Sequence, residues 1–432
     1  MSAVTTLAAI SVENRPTNDR VIARYPAAIW LLLGGNLLVR SAGFAYPFMA
    51  YHVTARGHAA GAVGVVLAAY GVGWTVGQLT CGWLVDRVGA RVTLVVSMSV
   101  AAAVLALMAG AHSVPALLVG ATVAGLVCDA PRPVLAAVIA ELIPEPQRRA
   151  RLDAWRHGWV LNIGAAITGG VGILVGGRLG TPALYGINAV ACATLAVVAA
   201  RYLPAELRRP APAATEAGFG SETSKNSYRQ AFSDKRLVLL FASGLATLTA
   251  LMGIFAAVPM LMSACGLGAA AYGWVQLINA LAVVAVTPLI TPWLSKRLAG
   301  GARLDILAGA GAWMTACMAA AGLAHTTLSF TAAAAACAPG EVAWFVVAAG
   351  IVHRIAPLAN KGRYHGIWSM TTAAASVIAP ILASASLAHG GRPSVAAATA
   401  TVGLLGTALC LPLARVLSCA NQIPTMRERP AV

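Results

Sequence analysis

Long apolar runs alternate with short polar segments along almost the whole chain. A helix needs about 20 apolar residues to cross the hydrocarbon of a bilayer. By that measure the pattern predicts twelve spans: 27–51, 61–85, 92–112, 114–141, 156–177, 182–203, 237–262, 268–292, 304–324, 327–353, 365–388 and 394–417. The apolar-out, polar-in alternation of a membrane β-barrel is absent. The longest polar interruption, 204–236, is rich in Pro, Ala, Ser and charge, a composition that buries too little surface to order itself. It divides the spans six and six.

The expected organisation is a tail at 1–26, a six-helix bundle at 27–203, a linker at 204–236, a second six-helix bundle at 237–417 and a tail at 418–432. The halves resemble each other. Trp83-Leu84, Asp86-Arg87 and Gly89-Ala90-Arg91 are echoed by Trp293-Leu294, Lys296-Arg297 and Gly301-Ala302-Arg303. Pro144, Arg148 and Trp155 match Pro357, Lys361 and Trp368 at one constant offset. An offset held across a helix–loop–helix unit is the mark of an internal duplication. The fold class that follows is an all-α membrane protein, with twelve transmembrane helices in two pseudo-symmetric six-helix bundles around a central cavity.

Composition agrees. Residues are 59% hydrophobic and 10% charged, against about 25% charged in soluble domains. The net charge of +16 invites a nucleic-acid reading, but its distribution argues against one. Of the 30 Lys and Arg, all but Arg40, Arg56, Arg132, Arg178 and Arg392 fall in segments on one side of the predicted spans. Basic loops mark the cytoplasmic side, so both termini are expected there, in a multi-pass plasma (inner) membrane protein. The polar start of the chain is unlike a cleavable signal peptide, and the first span is expected to act as its own insertion signal. The eight Cys lack a C-x-x-C spacing and read as small core residues. No metal, cofactor or catalytic constellation is expected, nor an ATP-binding P-loop, so the chain does not read as an enzyme. The expected partners are the lipid bilayer, a small-molecule substrate and protons, with no nucleic acid and a monomeric state.

Four ionisable residues lie deep inside predicted spans: Arg40, Asp129, Arg132 and Glu341. A charge at the bilayer centre costs about 2.5–3.5 kcal/mol on insertion scales and almost always faces a bundle interior or a watery cavity. Asp129 and Arg132 share a helix face at i, i+3, and Pro131 and Pro133 break the hydrogen-bond ladder beside them. Asn36 and Phe44 fall on the Arg40 stripe, and Trp344 and Phe345 lie with Glu341. Gln276 and Asn279 sit one turn apart and either bind a substrate or bridge helices. These six are the candidate cavity-lining residues. An Asp129 pair with Arg132 or with Arg40 is as readily structural as functional. Glu341 has no basic neighbour within a turn, which makes it the candidate proton site. His52 and His325 fall at outer ends, where a solvated histidine is expected. Trp30, Trp274, Trp293 and Trp368 are candidate interface anchors.

After the second span comes Gly82-Trp83-Leu84-Val85-Asp86-Arg87-Val88-Gly89-Ala90-Arg91. This loop resembles the G-x-x-x-D-R-x-G-x-R signature of the major facilitator superfamily. Helix count, linker and half-repeat extend the resemblance over the chain, most closely to the twelve-helix drug:proton antiporters of that superfamily. Gly340-Glu341, Ala356-Pro357 and Gly362-Arg363-Tyr364 look like the corresponding stretch of its multidrug exporters. Two positions depart: helix five has glycines but no proline in its 162–172 stretch, and Ala121 stands where antiporters often carry Arg. The resemblance implies a cavity lined by helices one, four, seven and ten. It also implies a cytoplasmic gate in which Asp86 meets the start of helix eleven near Arg363. Arg87 and Arg91 are in reach of Glu141, and Gly82 and Gly89 permit a tight turn. The function expected is secondary active transport, as multidrug efflux by an antiporter with alternating access. Import or uniport of a metabolite, in particular an anionic one held by Arg40 and Arg132, is the alternative.

Overall fold

The computed structural model describes residues 25–143, 152, 160–204, 233–299, 301–357 and 361–421. The two tails and most of the predicted linker lie outside the described residues, as do the side chains of Asp86 and Arg363. Among the described residues every regular element is helical. Nine helical stretches are long and apolar enough to cross a membrane, and Ala27–Ser41 and Leu161–Gly176 are shorter apolar helices.

The first predicted span is not one helix. It runs as α1 (Ala27–Ser41) and α2 (Met49–Thr54), with turns between them. Pro47 brings no N–H to that break, and Gly43 donates back to the Arg40 carbonyl at 3.1 Å. The next two spans are unbroken, α3 (Ala60–Val88) and α4 (Ala90–Gly110), joined at Gly89. Gly89 has φ 89°, a backbone angle that side-chain-bearing residues rarely adopt. Gly82, expected at the turn, is instead inside α3 with open space beside it.

The fourth span divides into α5 (Val114–Cys128) and α6 (Pro131–Leu142). Pro131 sits in the first turn of α6, where its missing N–H costs nothing. Next come α7 (Leu161–Val171), which widens into a π turn over Gly172–Gly176, and α8 (Gly180–Tyr202). After the linker follow α9 (Lys235–Leu251), a 3-10 turn at Met252–Ile254 and α10 (Ala257–Ala264). The remaining elements are α11 (Ala269–Ala299), α12 (Leu304–Leu323), α13 (Thr327–Ile355), α14 (Lys361–Ala408) and α15 (Cys410–Asn421).

Helix α14 holds two arms. Trp368 packs over Gly244, while Gly406 accepts a hydrogen bond from the adjacent Ser243 at 2.6 Å. A straight helix between those two positions would be about 57 Å long, so the chain doubles back. Gly391, with φ 65° and ψ −158°, makes the reversal.

Two long packings join the elements before the linker to those after it: α3 on α14 and α7 on α11. Both depend on small residues that let backbones approach. A Cβ on Gly273 of α11 would stand 2.7 Å from the Ile173 nitrogen and 2.8 Å from the Gly169 carbonyl oxygen. Rings close the same junction. Tyr46 lies 6.0 Å from Phe255, and Phe48 and Tyr51 lie 5.4 and 5.9 Å from Tyr272.

At the start of α9, Asp234 caps the helix by accepting from the Arg236 backbone N–H at 3.0 Å. The Arg236 guanidinium grips the same carboxylate at 2.9–3.0 Å, and the Tyr364 hydroxyl of α14 donates to it at 2.8 Å. Burial raises the Asp234 pKa, but the hydrogen bonds from Arg236 and Tyr364 outweigh it and hold the carboxyl below its ordinary value. A depressed carboxyl stabilises the fold above the unfolded pKa of about 3.9, and that contribution disappears as pH falls through the lower folded value. Asp234→Asn is therefore expected to cost about 1 kcal/mol at neutral pH. It should also remove part of the acid sensitivity below pH of about 4, read by thermal unfolding across pH.

Candidate functional site

The helix breaks put polar groups in one place. Asp129 lies at the α5–α6 junction and Arg40 at the end of α1. Arg40 donates to Asp129 Oδ1, and Arg132 Nε lies 3.3 Å from Oδ2. Trp74 Nε1 and Gln78 Nε2 of α3 also donate to Oδ2, at 2.8 and 2.9 Å. A carboxylate oxygen offers about two acceptor positions, so Oδ2, with three neighbours, is crowded, while, among the described residues, Oδ1 accepts from Arg40 alone. Its side chain is 11% exposed, while those of Arg40 and Arg132 are 28% and 34% exposed. The Arg132 guanidinium also lies 5.8 Å from the Trp74 ring centroid, within cation–π range.

Close helix packing makes this convergence possible. A Cβ on Gly125 of α5 would fall 2.9 Å from the Trp74 nitrogen, so only glycine lets α3 lie this near α5. The end of α1 is fixed from the other side. Thr168 of α7 donates to the Arg40 carbonyl at 2.8 Å and lies 3.1 Å from that of Ser41, satisfying oxygens that the broken helix leaves over.

Three of the four intramembrane charges are thus brought together, and Glu341 is not with them. Among the described residues no basic side chain pairs with Glu341; its hydrogen-bonding neighbour is Asn279 of α11. Asn279 in turn donates to the Ala334 carbonyl of α13 at 3.0 Å, joining α11 to α13. Phe345, one turn beyond Glu341, is 39% exposed.

Several expected lining residues are interior packing instead. Phe44 is fully buried against Phe48. Trp344 is buried and stacked 5.6 Å from the half-buried Trp368. Gln276 is buried and donates to the Tyr272 hydroxyl, and Asn36 is buried inside α1's packing face. Helical spacing says which residues share a face, but not whether a neighbouring helix covers it.

The loop cluster also differs from expectation. Arg87 lies 4.9 Å over the Trp83 ring, and Arg91 donates to the Ala200 carbonyl in the last turn of α8. A helix C-terminus attracts a cation through its unpaired carbonyls, so neither arginine reaches the exposed Glu141. The expected Asp86–Arg363 contact lies outside the described residues. His52 is buried, not solvated. Its Nε2 donates to the Met108 carbonyl at 2.9 Å and its Nδ1 accepts from the Thr181 hydroxyl at 2.9 Å, a tautomer assigned from these partners.

Sequence reasoning passed over Trp74, Gln78, Tyr46 and Tyr70. Gln78 carried a usable signal, a lone amide inside an apolar run and one turn from a tryptophan. Tyr70, Trp74 and Gln78 recur every four residues on α3, and Tyr70 stacks on Tyr46 at 5.0 Å.

An apolar, all-helical chain that keeps its deep charges among its helices is a polytopic membrane protein built around an internal polar site. Residues 29–270, more than half of the chain, match the model of the Major Facilitator Superfamily, and the protein belongs to that family. Its fold is similar to that of a POT family transporter solved with a thioalcohol-conjugated peptide (TM-score 0.71, 15% identity, covering 93% of this chain and 97% of that one). It is also similar to a POT family transporter solved with 5-aminolevulinic acid (0.68, 15%, 93% and 97%) and to the nucleoside transporter NupG (0.66, 14%, 91% and 98%). No curated protein sequence matches the chain. At these identities the likeness is one of fold, and the function that fold and family support is transport.

Proposed function

We propose that the protein is a proton-coupled secondary transporter of small molecules, working by alternating access. In this reading twelve crossings form two six-helix halves, 27–203 and 237–417, joined by the 204–236 linker, with both termini in the cytoplasm of a plasma-membrane monomer. The observation that carries it is the Asp129 cluster with its partly exposed arginines, deep in an apolar chain. Such groups persist in a bilayer where they line a water-filled path. With that orientation, the α7–α11 and ring contacts fall in the outer half, so the conformation is closed outside. The Asp86–Arg363 latch, with Gly82, Gly89, Arg87, Arg91 and Glu141 around it, would hold the cytoplasmic side in the opposite state.

Glu341, half-buried and, among the described residues, without a basic partner, is the proposed proton carrier. A proton moving inward down 100 mV releases about 2.3 kcal/mol, and one pH unit adds about 1.4 kcal/mol. Together they support a concentration ratio above about a hundredfold for a neutral substrate. Export of lipophilic compounds is the direction favoured by the loop and helix-ten sequences. Import of an anionic metabolite is the second reading, favoured by the two arginines that share one carboxylate. Glu341→Gln is expected to flatten the pH dependence of transport in vesicles of defined orientation while leaving the protein folded. Transport by that variant with undiminished pH dependence would refute the proton role.

A further inference from the structure

We infer that the groove between α12 and α13 binds a phospholipid, with one acyl chain along the groove and the lipid phosphate on Arg392. The site shares no residue with the Asp129 cluster. It rests on the chain spanning a membrane, and its place in the outer leaflet rests on the orientation proposed above.

Small side chains open the groove. Ala316 and Ala320 of α12 and Ala332 and Ala336 of α13 line a cavity of about 600 Å³, a volume within the range of about 300–1,000 Å³ that suits a small-molecule site. These four alanines are exposed, so the cavity opens sideways, toward lipid in a membrane-spanning chain. Trp313 borders it at one end and donates from Nε1 to the Ala336 carbonyl at 2.6 Å, which ties the two helices together there. Ala324 borders it at the other end, where α12 stops. From Trp313 to Ala324 a helix rises about 17 Å. One leaflet of the hydrocarbon is about 15 Å deep. The groove therefore has the length and the apolar lining for an acyl chain of a single leaflet.

Arg392 supplies the head-group end. It follows the reversal at Gly391, and its Nη2 donates to the Ala324 carbonyl, at the end of the groove. Its Nη1 donates to His325 Nδ1 at 2.6 Å, a tautomer assigned from this contact. Both acceptors are then uncharged. A guanidinium has five N–H donors, so some remain for a ligand. The chain offers no acid to meet this charge. Segments 52–60, 112–114, 178–181, 264–268, 324–327 and 389–393 join the helices on the Arg392 side, and they contain no Asp or Glu. Contacts hold several of them at one end of the molecule: His52 with Thr181, His58 with the His112 carbonyl, and Arg392 with Ala324. Phosphate oxygens match a guanidinium fork in charge and in shape.

The same features weigh against other occupants. A second copy docked here about a two-fold axis along the membrane normal would bring two Arg392 side chains to one height with no acid between them. Free phosphate would leave the groove unfilled, and a neutral or cationic lipophile would leave Arg392 unmet.

The test uses the full-length protein in detergent micelles and three probes. They are phosphatidylglycerol with a diazirine in one acyl chain, diacylglycerol with the same chains, and glycerol 3-phosphate as a competitor without chains. Peptide mass spectrometry reads the cross-linked positions. Phosphatidylglycerol is expected to label the 313–336 segment at least about tenfold more than diacylglycerol does. Glycerol 3-phosphate should not displace it. Arg392→Gln should lower that labelling about tenfold, toward the diacylglycerol level, and leave labelling of the basic, cytoplasmic helix ends unchanged. Ala320→Phe fills the groove at an exposed position and keeps Arg392. It should lower labelling by both lipids, and it serves if the glutamine variant does not fold. Even labelling of all lipid-facing helices, equal labelling by diacylglycerol, displacement by glycerol 3-phosphate, or labelling indifferent to Arg392 and Ala320 would each overturn the inference. Cross-links between two copies at 313–336 without lipid label would put a second copy in place of the lipid and overturn it as well. None of these readouts involves transport, so a failure here leaves the proposed function standing.

Discussion

Asp129→Asn is expected to be the most damaging single change in the polar interior, costing about 3–5 kcal/mol of stability. The amide keeps the shape but loses the charge that offsets Arg40 and Arg132. It also turns one acceptor oxygen into a donor beside the Trp74 and Gln78 N–H groups that donate to the carboxylate. The Arg40 and Arg132 guanidinium groups lose the carboxylate they share, and transport should fall with stability. Thermal unfolding in detergent reads the first effect and vesicle flux the second. A double change, Asp129→Asn with Arg132→Leu, is expected to recover part of the loss, because contacting residues are not additive. A single variant as stable as the parent would show that the cluster is water-exposed rather than buried.

The second large effect is expected at Gly273→Val. The added carbons would overlap the backbone at Ile173 and Gly169, and a backbone contact cannot be relieved by turning a side chain. Overpacking of this kind costs about 1–3 kcal/mol where side chains can yield, and more is expected here. If α7 and α11 separate during the cycle, the variant should also be biased away from the outside-closed state. Accessibility of a cysteine placed beside Phe255 would then rise. Normal stability with unchanged accessibility would mean that α7 and α11 do not approach as closely as described.

The two effects mark what one sequence makes legible. Ala90–Gly110 lies within two residues of its predicted span, because hydropathy over a bilayer length is local information. The site was half legible. Mid-span charges are conspicuous, and Arg40, Asp129 and Arg132 could be named with their possible pairings. Trp74 and Gln78 could not be joined to them. They reach Asp129 across the α3–α5 packing that Gly125 permits, and a glycine among 43 glycines carries no label. Phe44 and Trp344 failed for the converse reason, since each lies near a charged residue in its span but under a neighbouring ring.

By itself, then, the sequence determined that this chain is an all-helical membrane protein with ionisable groups held among its spans, since burying apolar surface in lipid depends on composition along the chain. Tertiary structure alone decided that Arg40 and Arg132 share one carboxylate, that Glu341 stands apart with Asn279, and that His52 is sealed between Met108 and Thr181. Those outcomes turn on which helix faces meet and at what height. Helix–helix contact in lipid is set by the shape of small residues at close range, which hydropathy does not record.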